Sequence, residues 1–293
     1  MMNKKQGSGG FWRVYGPLFA FCVIEYLAQV LTSFIMLIPH LMQIIGELTI
    51  SDSMTEEELS QIQIQLSVKM MEFLQQYQVQ IAGVAALCTL VLTVLLFRSD
   101  RKKEAARQEA SQAGAASGSF FWIAILGFVV CLGANCLNIM MTLAFGDTSY
   151  QESSAVLYAA PFWVQILCLG IIIPVSEEMM FRGLLFKRLR EGKTFVKAAL
   201  WSSVLFSLMH GTTAQFFYTL ALGMLLSYVY EKYDTVRAPI VLHITSNMLS
   251  VIGTETGYFD RLTAAPGNMV ILLVACAFFG SIMFVRIQRI EKN

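Results

Sequence analysis

Charged residues are scarce in this chain. They make up 14% of its 293 residues, whereas hydrophobic residues make up 56% and the mean hydropathy is +0.60. Soluble globular domains carry about 25% charged residues. The scarcity therefore excludes an ordinary water-soluble domain and indicates a polytopic membrane protein. Because the formal net charge is only +1, no nucleic-acid partner is expected.

Several other features are absent. The six cysteines form no CxxC pair and all lie in apolar segments, so neither a disulfide framework nor a thiolate metal site is indicated. The sequence has no internal repeat and no glycine motif of the kind that binds phosphate. The first apolar run is long and lacks a small-residue cleavage site, so we expect a retained anchor helix and not a signal peptide.

What the sequence has instead is a series of apolar runs. Most are close to the ~20 residues that a membrane-spanning helix requires. There are eight, at residues 14–39, 79–97, 120–145, 161–186, 198–210, 215–230, 238–253 and 267–285. The expected fold is therefore all-α, with about eight transmembrane helices.

The basic residues give this topology an orientation. All but three of the 21 lysines and arginines fall in loops on one side of the predicted membrane. The exceptions are Lys69, Arg182 and Arg261. Lysine and arginine concentrate in cytoplasmic loops, so we expect both termini to be cytoplasmic.

The loop at residues 49–78 has the pattern of an amphipathic helix on the outer side. Ser51, Ser53 and Thr55 are candidate helix caps, and three glutamates follow them before apolar residues recur among polar ones. We interpret this helix as lying on the membrane or packing over the bundle.

The cytoplasmic loop at residues 99–119 is rich in lysine, glutamate, alanine, glycine and serine. Such a composition is typical of a partly helical, partly flexible linker. It divides the chain into an N-terminal two-helix region, residues 1–115, and a C-terminal membrane bundle, residues 116–293.

Two carboxylates and a guanidinium follow an uncharged apolar run. They belong to Glu177, Glu178 and Arg182, and ionisable groups at membrane depth are costly and usually functional. Glu178 and Arg182 are four residues apart, on one helix face, which predicts a buried ion pair. Glu177 lies about 100° around the helix and is free for another task.

The histidines are equally concentrated. Of the three in the chain, His210 and His243 lie in apolar segments of the C-terminal half. Counting ~1.5 Å per residue from the expected cytoplasmic interface places Glu177 and His210 about 14 Å deep and His243 about 9 Å deep. The three side chains are therefore expected to converge in the cytoplasmic half of the bilayer. This placement leaves the fifth run too short to cross the membrane, so we expect a buried turn after His210.

These residue types can activate water. Glu177 would be the general base, and His210 would orient the same water or carry its proton. His243 and Asn247, one helical turn apart, could donate hydrogen bonds to a developing oxyanion. Glu178 and Arg182 would hold the helix in place.

The pattern resembles a known family. Glu177, Glu178 and Arg182 form Glu-Glu-x-x-x-Arg, Phe206 and His210 form Phe-x-x-x-His, and the third motif is His-x-x-x-Asn (His243, Asn247). In this order, over about residues 120–255, they resemble the CAAX protease and bacteriocin-processing (CPBP, or Abi) membrane family. The resemblance implies an eight-helix intramembrane endopeptidase, with the catalytic roles given above and with Glu178, Arg182 and Phe206 as supporting residues. It also favours a mechanism without a metal cofactor.

Other interpretations remain open. Glu177, His210 and His243 could ligate zinc, although the His-Glu-x-x-His signature is absent. Glu177 or Asn247 could simply connect helices, and the role of Glu25 in the first span is undecided. A non-catalytic immunity or regulatory partner and a proton-coupled transporter are alternative functions.

The compact chain with short loops is typical of a bacterial multi-pass protein of the cell membrane. For such a protein we expect the substrate to be a small secreted or signalling peptide or a lipid-anchored protein. The expected role of the protein is to mature such a peptide or to provide self-immunity to it.

Overall fold

The chain folds as a bundle of helices. The computed structural model describes residues 8–47, 55–106, 120–146, 149–263 and 266–289, and within these residues every regular element is a helix. The helices are α1 (Ser8–Glu47), α2 (Glu56–Gln76), α3 (Gln78–Ala106), α4 (Phe120–Phe145), α5 (Ser149–Leu157), α6 (Phe162–Arg190), α7 (Phe195–Leu208), α8 (Thr213–Tyr233), α9 (Arg237–Glu255), α10 (Tyr258–Thr263) and α11 (Pro266–Gln288). The all-α prediction is confirmed.

Each of the eight predicted apolar runs corresponds to a helix, although the run at 198–210 continues two residues beyond the end of α7 and the run at 161–186 begins one residue before α6. Five of these helices, α1, α3, α4, α6 and α11, are long and apolar enough to cross a membrane. By contrast, α7 has only 14 residues, and α8 and α9 are long but interrupted by polar residues. Helix α9 packs against α4 and α6, and its polar residues His243 and Ser246 are buried there. Eight spanning helices and the orientation of the termini remain predictions.

Helix α6 departs from regular α geometry in two π-helical stretches, Cys168–Ile172 and Met179–Phe186. In the first, the Ile173 N–H bonds to the Cys168 carbonyl five residues back. The next donor in this register would be residue 174, a proline without an N–H. The Leu169 carbonyl is therefore left without a helical partner. Such π-helical stretches often mark functional sites.

The predicted turn after His210 is present, but it is not buried, because Gly211 is exposed. Helix α7 ends at Leu208, and Gly211 adopts a φ of +82°, which glycine tolerates because it has no Cβ. Thr212 then caps α8, its side chain accepting a hydrogen bond from the Gln215 N–H. The turn places His210 at the end of a short helix.

Most lysines and arginines lie at helix termini at one end of the bundle. We call this end the basic end. Arg188 on α6 donates to Asp100 on α3 at 2.7 Å, and Lys187 pairs with Glu104 at 2.6 Å. Further contacts link Arg13 with Glu191, Arg190 with Glu231, and Lys232 with the Gln288 carbonyl. The opposite end, about 42 Å away along α3, begins at Gln78, and we call it the Gln78 end.

Helix α2 lies at the Gln78 end. Thr55 caps it in a capping box with Glu58: the Thr55 N–H donates to the glutamate at 2.8 Å, and the Glu58 N–H donates to the Thr55 hydroxyl at 3.3 Å. Hydrogen bonds from Thr55 also lower the pKa of Glu58. The amphipathic helix and its Thr55 cap are confirmed; Ser51 and Ser53 lie outside the described residues.

Helix α2 buries none of its residues, and Phe73 stacks on His40 of α1 with 4.0 Å between ring centroids. The third histidine of the chain is therefore a packing residue at this end of the bundle. Residues 107–119 of the predicted linker lie outside the described residues, and the division of the chain at residue 115 remains a prediction.

Candidate active site

The predicted ion pair between Glu178 and Arg182 is present. Arg182 Nη1 donates to Glu178 Oε1 at 2.8 Å, and both side chains are completely buried. The same carboxylate oxygen accepts a second hydrogen bond, from His243 Nδ1, at 2.8 Å. Glu178 therefore joins α6 to α9, because it holds one partner on each helix.

The Arg182 guanidinium is enclosed by α7 and α8. Its Nη2 donates to the Gly223 carbonyl at 3.2 Å, and its central carbon lies 4.5 Å from the centre of the Phe206 ring. A Cβ on Gly223 would lie 2.8 Å from Ser203 Oγ and 3.2 Å from Arg182 Nη2. Glycine at this position therefore makes room for the buried arginine.

Glu177 differs from Glu178 in its surroundings. Its Oε2 lies 3.7 Å from His243 Nε2, too far for a hydrogen bond, and 22% of its side chain is exposed. His243 itself is 3% exposed and stands between the two carboxylates. One carboxylate of the pair is thus sealed inside the protein, whereas the other can contact water.

His210 has a defined tautomer. Its Nδ1 lies 3.0 Å from the Phe206 carbonyl, which can only accept a hydrogen bond, so Nδ1 carries the proton. In the neutral ring, Nε2 then has a free lone pair. The Phe206 ring meets His210 and His243 edge to face, with centroid distances of 4.6 Å and 5.9 Å. Phe206 is therefore the common packing partner of both histidines.

Asn247 has a role that its sequence position does not reveal. Its Nδ2 donates to the Leu169 carbonyl at 3.1 Å, the group that Pro174 leaves without a helical donor. An asparagine amide has two N–H groups, so one remains for another acceptor. The structure thus gathers five of the predicted residues around His243, namely Glu177, Glu178, Arg182, Phe206 and His210. Asn247 lies one turn further along α9 and is bonded to α6.

The sequence did not reveal several other contributors. Thr89 of α3 and Ser176 share a hydrogen bond of 2.8 Å, and both are buried. Glu25, undecided from the sequence, is half-buried and interacts electrostatically with Glu177. Only the proline at position 174 was a visible signal, since it stands three residues before Glu177 in an apolar helix.

A cavity of about 440 Å³ adjoins His210. It lies at the Gln78 end, and its lining includes Glu152 and Ser153 of α5, the turn at Gly211 and the polar residues Gln78, Thr212 and Gln215. Its size falls within the range of ligand-binding cavities, about 300–1,000 Å³.

A zinc site requires several donor side chains close together. Across the described ranges, no three histidine, cysteine, aspartate or glutamate side chains are close enough together to hold a metal ion. The candidate set of Glu177, His210 and His243 is not gathered into such a group. The absence of a metal cofactor remains a prediction.

A bundle of apolar helices that encloses two carboxylates, an arginine and two histidines defines a multi-pass membrane protein with a polar site inside it. Residues 159–249 match the family described as type II CAAX prenyl endopeptidase Rce1-like. The matched segment contains all seven predicted site residues, from Glu177 to Asn247. The resemblance that the three motifs predict is therefore confirmed.

Three known proteins are similar to this chain. "Putative membrane peptidase YdiL" of Bacillus subtilis (strain 168) is 26% identical over 174 residues, 58% of this chain and 69% of that protein. Two proteins of Lactococcus lactis subsp. lactis (strain IL1403), "UPF0177 protein YxdF" and "UPF0177 protein YbdJ", are 34% and 32% identical over 102 and 91 residues. The chain spans only 56% and 39% of their lengths. No solved structure matches significantly. At the level of the family, these comparisons support a membrane peptidase.

Proposed function

We propose that this protein hydrolyses a peptide bond inside the membrane, with a water molecule activated by Glu177 and His210. The difference between the two neighbouring carboxylates carries the proposal. Glu178 is fully buried and holds Arg182 and His243, whereas Glu177 is 22% exposed and makes no hydrogen bond to His243. Only Glu177 is available to take a proton from water.

The neighbouring groups fit the remaining steps. Water gives its proton to Glu177 while its oxygen forms a bond to the carbonyl carbon of the peptide. Glu177 then passes that proton to the departing amine as the carbon–nitrogen bond breaks. The free Nε2 of His210 accepts a hydrogen bond from the same water and so orients it.

The tetrahedral intermediate needs hydrogen-bond donors for its oxyanion. Asn247 has one N–H left after bonding Leu169. His243 already uses Nδ1 for Glu178, so it can donate only from Nε2, which requires a proton on both ring nitrogens. We assign the oxyanion-stabilising role to Asn247 and to His243 with both ring nitrogens protonated.

The substrate class follows from the setting. The protein is CAAX-type in its catalytic residues, and its substrate is a small peptide or a lipid-anchored protein at the bilayer. We place it in the cell membrane as a multi-pass protein without a metal cofactor, with the basic end in the cytoplasm because lysine and arginine favour that side. Maturation of a secreted or signalling peptide, or self-immunity to one, is the role we propose.

The decisive test compares Glu177→Gln with wild type. Membrane and secreted peptides from cells that express each form are compared by mass spectrometry, and a peptide that differs is then offered to the purified proteins. Cleavage should fall at least ~100-fold, the usual contribution of a general base, while the unfolding temperature stays unchanged. Glu231→Gln, which removes a carboxylate at the basic end, is the matched control. Full activity of Glu177→Gln would refute the assignment.

A further inference from the structure

We propose that Glu25 of α1 is a specificity-determining residue of the active site, and that it holds a lysine or arginine of the substrate close to the peptide bond that is cut. The inference rests on the proposed function and adds the chemical class of its substrate. It also gives a role in the reaction to α1, which lies outside the segment that matches the family.

The first observation is that α1 runs antiparallel to α6. Arg13, near the start of α1, pairs with Glu191, the residue directly after the end of α6, and Arg188 bonds to the Arg13 carbonyl. At ~1.5 Å per residue, Glu25 lies about 18 Å and Glu177 about 21 Å along its own helix from this contact. The two carboxylates are therefore at nearly the same depth, inside the ~30 Å membrane core.

An aromatic contact directs the two side chains towards each other. The rings of Phe21 and Phe181 are both buried and meet edge to face, with 6.4 Å between their centroids. Glu25 lies about one turn beyond Phe21 on α1, and Glu177 lies about one turn before Phe181 on α6. The two carboxylates also interact electrostatically. Glu25 therefore borders the space beside the proposed general base.

The second observation is that Glu25 lacks a counter-charge. Within the part of the chain that the structure describes, its carboxylate forms no hydrogen bond and no salt bridge. It is only partly buried, like Glu177, whose side chain is 22% exposed. A carboxylate at membrane depth is costly unless it is paired. No described residue supplies the cation, which leaves that part to the substrate.

The charges around the site favour a cationic substrate. Glu178 is neutralised by Arg182, and both of these side chains are fully buried. The carboxylates of Glu25 and Glu177 are the partly exposed ones, so the accessible part of the site is acidic. Such a surface attracts positive charge and repels negative charge. A basic side chain can contact Glu25 while the neighbouring peptide bond lies against Glu177.

The spacing limits where the basic residue can be in the substrate. Packed helices are about 8–10 Å apart, and an extended peptide advances about 3.3 Å per residue. The lysine or arginine should therefore lie within about three residues of the bond that is cleaved. An acidic or phosphorylated residue at the same position would be repelled by both carboxylates.

Paired peptides test the role of Glu25. Short apolar peptides, each with one lysine at a different position, are compared with counterparts in which norleucine replaces the lysine and so removes only the ammonium group. Wild type should cleave at least one lysine peptide about tenfold or more faster than its counterpart, the usual effect of a hydrogen bond to a charged group. Glu25→Gln should cleave both at equal rates, and Glu25→Asp, which keeps the charge, should retain the preference. Glu231→Gln at the basic end is the matched control and should keep the wild-type ratio.

The ratio of the two rates separates a specificity role from a general one. If Glu25 only tuned Glu177 or held the helices together, Glu25→Gln would slow both peptides of a pair equally and the ratio would persist. That result would overturn the inference, and so would equal cleavage of both peptides by wild type.

Binding decides the matter if wild type cleaves nothing. Fluorescent forms of the same peptides are titrated into purified wild-type and Glu25→Gln proteins. Tighter binding of a lysine peptide that disappears in Glu25→Gln would support the cation site even though the proposed function had failed. Equal binding of the lysine and norleucine peptides by wild type would overturn it.

Discussion

The side-chain amide of Asn247 donates a hydrogen bond to the main-chain carbonyl of Leu169, with a distance of 3.1 Å between nitrogen and oxygen. The carbonyl has no helical donor because the π register of α6 brings Pro174 to the position where an N–H would be. The asparagine of the third motif therefore repairs a break in the helix that carries the first motif. The two motifs are joined by this contact as well as by the pair between His243 and Glu178.

A double-mutant cycle tests this repair. Asn247→Ala should destabilise the protein by about 1–3 kcal/mol, since a carbonyl inside the protein loses its partner. In a Pro174→Ala background the restored N–H can satisfy the helix, so the same asparagine change should cost clearly less. Thermal unfolding of the four purified proteins in detergent measures the coupling. Strictly additive losses would contradict it.

Gly223 offers a second test, of the room made for Arg182. Gly223→Ala places a methyl group 2.8 Å from Ser203 Oγ and 3.2 Å from Arg182 Nη2, so we expect a loss of about 1–3 kcal/mol in stability from overpacking. Gly133→Ala on α4 is the matched control, because its Cβ would sit at an ordinary 3.6 Å from Cys276. Equal unfolding temperatures for the two variants would refute the prediction.

The predictable parts of this site were those that depend on residues close together in the sequence. The pair of Glu178 and Arg182 was predictable because residues four apart share a helix face, and the turn after His210 because the apolar run was too short to span. The bond between His243 and Glu178 joins residues 65 positions apart, and no local pattern encodes such a distance. The amide that bonds the Leu169 carbonyl comes from Asn247, 78 positions away, so Pro174 alone could not reveal it.

Substitution of the two neighbouring glutamates should affect stability and cleavage differently. Glu178→Gln leaves the Arg182 charge buried without its counter-charge, which costs about 3–5 kcal/mol in other proteins. Glu177→Gln removes a partly exposed carboxylate that forms no salt bridge with an arginine among the described residues, so its stability should match wild type while cleavage is lost. Unfolding by heat, followed alongside peptide cleavage, separates the two effects. A Glu178→Gln protein as stable as Glu177→Gln would contradict the structural role of Glu178.

Metal removal should leave cleavage unchanged, because the proposed mechanism uses only side chains. Purified protein is dialysed against a strong chelator and then assayed with the peptide identified above. The matched measurement is elemental analysis of the same sample for zinc and other transition metals. Loss of cleavage that returns on adding zinc would overturn the mechanism and favour the zinc alternative.

The tautomer of His210 leads to a prediction about which of its nitrogens acts. In His210→Asn the amide can replace the Nδ1 donor to the Phe206 carbonyl, but nothing replaces the Nε2 lone pair. This variant should keep the unfolding temperature of wild type and lose cleavage by at least ~100-fold. His210→Ala serves as the comparison, because it loses both functions and should be less stable as well as inactive. Wild-type cleavage by His210→Asn would show that the ring only anchors the turn, and the role in orienting water would then have to be given up.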